Sequence, residues 1–260
     1  MVPVAVSLAQ RPDLTDAVYA IPYPPGSPRF MAGSLTSLLV RGRRVARLWP
    51  HLVVALVEDG VPVARGIMVP FRSRSVLPDL GWDAVAVWAA EDALDGVAPD
   101  TACGLEIAVH PAWQGRGLSS VVLAAMRDAV ADSGLASLVI PVRPPEKALV
   151  PGLSMKEYAR SVRSDGLPED PWLRTHVRAG GRIEGVASCS ATVQAPLADW
   201  RRWTGLPFDR AGGVVVAGAL APVLVSTLDE LPPVRRTRRV WGQAGASGGR
   251  LRASNVAGLC

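Results

Sequence analysis

Leu105-Glu106-Ile107-Ala108-Val109-His110-Pro111-Ala112-Trp113-Gln114-Gly115-Arg116-Gly117-Leu118-Ser119-Ser120 is the stretch whose reading decides the fold. Ile107 and Val109 alternate with smaller or polar neighbours, as strand residues do, and Pro111 ends the ladder. Gly115 and Gly117 let a backbone approach a ligand with no Cβ in the way. Ser119 and Ser120 stand where caps are wanted, ahead of a helix over 121–130 with apolar residues at helical spacing. Free N–H groups thus converge at the positive end of a helix, with Arg116 close by, which suits a phosphate or diphosphate.

Two nucleotide loops are excluded by inspection. A Walker loop requires Gly-Lys-Ser/Thr, and no lysine stands here. A dinucleotide fingerprint requires a third glycine, where this chain has Ser120, and an acid after the next strand, which ends in Pro141-Val142-Arg143.

Gln114-Gly115-Arg116-Gly117-Leu118-Ser119 resembles the Arg/Gln-x-x-Gly-x-Gly/Ala signature of the GNAT acyltransferase superfamily, with Ser119 at the last small position. The resemblance spans residues 50 to 225. It implies an α/β (α+β) fold: a mixed, mostly antiparallel central sheet with helices on both faces and a strand-loop-helix-strand acyl-CoA unit. It further implies that Gln114, Gly115, Arg116, Gly117, Leu118, Ser119 and Ser120 hold the diphosphate of acetyl-CoA. The strand edge at Ile107, Ala108 and Val109 would pair with the pantetheine arm.

Working outward, the clearest hairpin lies upstream, where runs 52–57 and 63–69 flank Asp59-Gly60. Met31 to Trp49 has helical spacing weakened by Gly42. Residues 71–100 read as a loop and a helix around Trp82, Val85 and Trp88. Ser137 to Val142 is the next strand, parallel to the signature strand through a right-handed crossover. Residues 143–171 form a proline-rich insertion, a candidate lid, with a short helix around Met155 to Tyr158. A proline-started helix follows at 171, then a glycine stop and a strand over 182–186. Further strands are expected at 191–193, 214–216 and 223–225, with Trp200 and Trp203 on one face of an intervening helix. The domain is thus expected over 31–228, between a proline-rich arm (1–30) lying across the surface and a flexible basic tail (229–260).

Composition narrows the function classes. The chain of 260 residues carries 28 Lys+Arg against 23 Asp+Glu, a net charge of +5 that suits an anionic ligand. No zinc finger, RNA-recognition signature or aromatic-basic stripe points to a specific nucleic acid. No apolar run is long enough to span a bilayer, and the N-terminus lacks a basic secretory region. Cys103, Cys189 and Cys260 are odd in number and show no metal-ligand spacing, so a reduced, cytoplasmic protein without a metal is expected. A homodimer stays open.

Acyl transfer from a thioester to an amine needs a neutral amine, a donor for the carbonyl oxygen and help for the departing thiolate. Glu106, on the signature strand, is the first choice as base, against a role pairing with an arginine on the sheet face; His110 is second. GNAT members often carry an acidic tyrosine in a Leu-Tyr-x-x-x-Gly-Phe context. Thr175 to Gly181 falls on that pattern, placing His176 at the tyrosine position and Gly181 at the phenylalanine. Tyr158 is the alternative acid if its segment folds over the site. Cys103 is read as core. The expected activity is transfer of acetyl from acetyl-CoA to a small-molecule primary amine. A non-catalytic acyl-CoA-binding module, or transfer to a non-amine acceptor, is the alternative.

Overall fold

The computed structural model describes residues 3–23, 27–41, 43–226 and the pair 257–258. Its main sheet holds β1 (Val4–Ser7), β2 (Val53–Glu58), β3 (Val61–Phe71), β4 (Thr101–Val109) and β5 (Ser137–Val139), side by side in chain order. All neighbours are antiparallel except β4 and β5, which are parallel. The helices are α1 (Thr15–Ala20), α2 (Ser37–Val40), α3 (Arg44–Leu48), α4 (Gly81–Asp95), α5 (Leu118–Asp132), α6 (Met155–Tyr158), α7 (Pro171–Arg178) and α8 (Leu197–Thr204).

The β2–β3 hairpin closes through Asp59 and Gly60, with φ of 50° and 81°. Two left-handed residues give the turn a twist that matches its strands. Alternation then sorts the side chains. Val53, Ala55, Ile67, Val69, Phe71 and Cys103 pack on one face against Val18, Val45 and Val85 of α1, α3 and α4. Val54, Leu56, Met68 and Ala102 pack on the other against Val122 and Met126 of α5. Both faces are therefore covered by helices. Gly66 permits the close approach of α5, because a Cβ there would lie 2.7 Å from Met126 Sδ.

Residues 3–23 are not irregular throughout, as the expected arm would be. Val4-Ala5-Val6 has strand character, and β1 completes the edge of the sheet by pairing Val4 with Val57 through Ser7 with Val54. The strand expected over 182–186 is likewise absent. Residues 181–185 are exposed and join no ladder among the described residues.

Beyond α7 the chain builds a second, small sheet in the order β6 (Gln194–Ala195), β9 (Ala257–Gly258), β8 (Val223–Val225), β7 (Gly212–Val214). The strand expected at 191–193 is displaced to 194–195. Trp200 is fully buried among Phe30, Phe208 and Val223, and meets Trp203 edge-on at 5.6 Å. Residues 229–256 and 259–260 lie outside the described residues, and the expected flexible basic tail falls there.

Candidate active site

Two departures from regular pairing make the site. The first is a bulge in β4. Ile67 opposes Glu106 while Met68 opposes Gly104, so Leu105 is the extra residue. A bulge re-aims side chains. Without it Glu106 would point toward α5; with it, Glu106 shares the opposite face with Ile67 and Arg65. The indole Nε1 of Trp82, on α4, donates to Leu105 O at 3.3 Å and fixes the bulge. The second departure is that β5 pairs β4 only over Thr101, Ala102 and Cys103. From Gly104 to Val109 the far edge of β4 has no strand beside it among the described residues.

The chain leaves β4 through His110 and the 3-10 turn Pro111–Trp113. His110 Nδ1 accepts from Ala112 N at 3.3 Å, so this histidine caps the turn. Gly115 and Gly117 follow with φ of 76° and 71°, and nothing stands within 4 Å of a Cβ built on either. Their conformation disfavours side chains and the space before them is open, which fits a diphosphate cradle. Gly117 is itself the N-cap of α5, with no side chain bonding the first turn. Ser119 and Ser120 are therefore residues of the helix, not its caps: the left-handed glycine turns the chain into α5 before either is reached.

A cavity joins this loop to the bare edge of β4. Ile107, Ala108, Val109, Gln114, Gly115, Gly117, Leu118 and Ser119 line it, together with Tyr23, Trp113 and Trp172. Gln114 Nε2 donates to Val109 O at 3.3 Å, tying loop to strand. Arg116 and Ser120 do not line it. The Arg116 guanidinium instead lies 4.4 Å over the Trp113 ring, where cation–π attraction holds it.

Beyond Tyr23 a wide cleft opens, lined by Arg65, Trp82, Glu106, Arg143 and His176 among others. Glu106 Oε1 accepts from Arg65 Nε at 2.5 Å, and Oε2 accepts from the Tyr23 hydroxyl. Arg65 is buried and also donates to Val18 O and Ile21 O at 2.9 Å each. The surrounding protein and the adjacent Glu106 carboxylate push the Tyr23 phenol up to about 12. Tyr23 lines both cavities, and sequence reasoning missed it. Its proline-rich surroundings carry no periodic signal, and only the packing of α1 on the sheet brings it to β4.

His176 also reaches the cleft, stacked on Trp172 at 5.8 Å between centroids, with its imidazole held below the ordinary value by burial. Tyr158 does not join them. Its hydroxyl donates to Asp170 Oδ2 at 2.9 Å, and Asp170 caps α7 by accepting from the Trp172 and Leu173 amides. Tyr158 is an anchor for α7, which corrects the expectation that it could serve as an acid. Cys103 is fully buried. Among the described residues no cluster of three or more His, Cys, Asp or Glu side chains could hold a metal, and no helix is long and apolar enough to cross a membrane.

A mixed sheet whose parallel pair parts beside a glycine loop and a helix start is the architecture of a GNAT domain. No family model matches the sequence. Its sequence is 31% identical over 152 residues to the arginine N-acetyltransferase avaD of Aspergillus versicolor, covering 55% of this chain and 52% of that protein. The chain thus spans about half the length of the curated relative it matches. Its fold superposes on the loading GNATL domain of CurA from Lyngbya majuscula with a TM-score of 0.51 at 18% identity, over 68% of this chain and 83% of that one. The GphF GNAT-like decarboxylase in complex with isobutyryl-CoA gives 0.47 at 19% identity, over 73% and 88%. The chain thus has a GNAT-like fold, and over about half its length its sequence is similar to an N-acetyltransferase.

Proposed function

We propose that this chain is an acyl-CoA-dependent N-acyltransferase that moves an acetyl group from acetyl-CoA directly to a primary amine of a small molecule. The observation that carries the reading is the cavity running from the amides of Gly115 and Gly117 along the bare edge of β4 to the Glu106 cleft. Diphosphate, pantetheine and acetyl group follow one another along that line. The named activity of the Aspergillus relative supports the same reaction class.

The chemistry divides among few groups. The amine attacks the thioester carbonyl, forming the C–N bond as the C–S bond breaks. Amides of the free β4 edge, around Ile107 to Val109, supply hydrogen bonds to the carbonyl oxygen as charge develops on it. Glu106 keeps lone pairs beyond those given to Arg65 and Tyr23, and takes the amine proton directly or through a water. His176 is depressed by burial and therefore mainly neutral near pH 7. It serves the departing thiolate as a neutral N–H donor, and the thiolate takes its proton from solvent. Much of the acceleration comes from holding both substrates in line.

The test is to incubate the purified chain with acetyl-CoA and a panel of primary amines and follow release of free thiol. Turnover of an amine supports the reading. Thermal stabilisation by CoA with no turnover of any amine would favour a non-catalytic acyl-CoA-binding module instead.

A further inference from the structure

The cleft that Glu106 lines also carries a cation with no counter-charge. Arg143 lies in the segment that leaves the sheet after β5, and its guanidinium lines the same cleft as Glu106. It makes one hydrogen bond, from Nη2 to Gly218 O, and forms no ion pair with any described acid. Burial lowers its pKa, and no neighbouring carboxylate offsets that.

No described acid lining the cleft pairs with Arg143. Of the three lining the cleft, Glu106 is paired with Arg65 and Glu184 with Arg182, and Asp79, on the turn before α4, forms no ion pair with Arg143. Asp170, fully buried on this side of the molecule, accepts from the Trp172, Leu173 and Glu146 amides and from the Tyr158 hydroxyl. Lys147, four residues beyond Arg143, is 1% exposed and adds positive charge, but its ammonium is committed to the carbonyls of Val150, Pro151 and Leu220. Unlike Lys147, Arg143 keeps donors to offer, since a guanidinium has five N–H groups in a planar fork and one hydrogen bond is made.

A desolvated cation without a partner is costly, and a carboxylate on the fork relieves the cost with two parallel charge-assisted bonds. We infer that Arg143 binds the carboxylate of the acceptor, so that the acceptor is an amino acid carrying both an amine and a carboxylate. This rests on the acyltransferase reading above. Arg143 on the β5 side and Glu106 on β4 then address the two ends of one zwitterion. The CoA diphosphate is accounted for separately, because Arg143 does not line the cavity at the glycine loop.

The test compares amino acids with their decarboxylated amines, such as arginine with agmatine and ornithine with putrescine, at saturating acetyl-CoA. The expected kcat/KM ratio favours the amino acid by roughly 10- to 100-fold, the range of a charge-assisted bidentate contact. In Arg143→Met the ratio falls toward one, while Arg143→Lys, which keeps the charge without the fork, retains part of it and controls for folding. A wild-type ratio near one overturns the inference and leaves the acyltransferase reading standing. So does an Arg143→Met variant that keeps the ratio but weakens binding of CoA and not of dephospho-CoA, since the guanidinium then serves the 3′-phosphate. Turnover of none of these acceptors, nor of any other amine, overturns the acyltransferase reading and this inference with it.

Discussion

Arg65 and Glu106 are joined across β3 and β4 by an ion pair of 2.5 Å, the guanidinium side chain 4% exposed and the carboxylate side chain 21% exposed on the cleft wall. The two residues are diagonal neighbours only because the bulge at Leu105 turns Glu106 to the face of Arg65. Arg65 also ties α1 to the sheet through Val18 O and Ile21 O, so the pair serves fold and site together. The two roles separate by mutation. Arg65→Met leaves the Glu106 carboxylate without its counter-charge and two carbonyls without a donor, and is expected to cost about 3 kcal/mol, read as a lowered denaturation midpoint. Glu106→Gln keeps the shape and is expected to lower kcat by about 10²-fold or more, with acetyl-CoA affinity unchanged.

Tyr23 holds the second oxygen of Glu106 through its hydroxyl. With its phenol pushed up to about 12, it stays protonated across the working range. Tyr23→Phe is therefore expected to lower kcat several-fold, as one donor to Glu106 is lost. It should leave the shape of the pH–rate profile below pH 9 as in the wild type. A new or missing limb in that range would show that Tyr23 itself exchanges the proton.

Burial holds His176 below 6.5, its ordinary value. Between the folded value and 6.5 the unfolded chain binds more protons, so this residue's contribution makes stability rise with pH through that window. Thermal midpoints should fall as pH drops below 6.5, and the slope should shrink in His176→Gln. Glutamine keeps a neutral N–H donor. His176→Gln is expected to retain more turnover than His176→Phe at pH 7.5, and equal losses in both would speak for an imidazolium acid.

Gly66 sits under α5, where a Cβ would lie 2.7 Å from Met126 Sδ and 2.8 Å from Val122 Cγ1. Gly66→Ala is expected to cost about 1–3 kcal/mol by overpacking. Met126→Ala in the same chain should recover part of that loss, measured by chemical denaturation. Recovery of nothing would mean that α5 is not seated as described.

What the sequence reveals depends on whether the deciding contact is local. Asp59-Gly60 specifies a hairpin within a few residues, and the β4, glycine loop, α5 and β5 unit declares itself by period and punctuation. Pro171 likewise announces α7. The bulge at Leu105 has no such local signature, because it is a mismatch of register with β3. β1 is four residues long and becomes a strand only by having β2 to pair with. Residues 182–186 have strand-like character and form no strand among the described residues, so character alone does not make one. Tyr158 and Tyr23 show the same lesson for the site. Either could be the useful phenol by composition, and only packing sends one to Asp170 and the other to Glu106.

The central claim is that the amides after Trp113 hold the diphosphate of coenzyme A, and titration calorimetry on the full chain tests it most directly. Acetyl-CoA is expected to bind one per chain, and S-acetylpantetheine, which lacks the diphosphate, at least tenfold more weakly. Gly117→Val, which forces a β-branched residue into a φ of 71°, is expected to abolish the difference between the two ligands. No heat from acetyl-CoA, or equal affinity for both ligands in the wild type, would contradict the account.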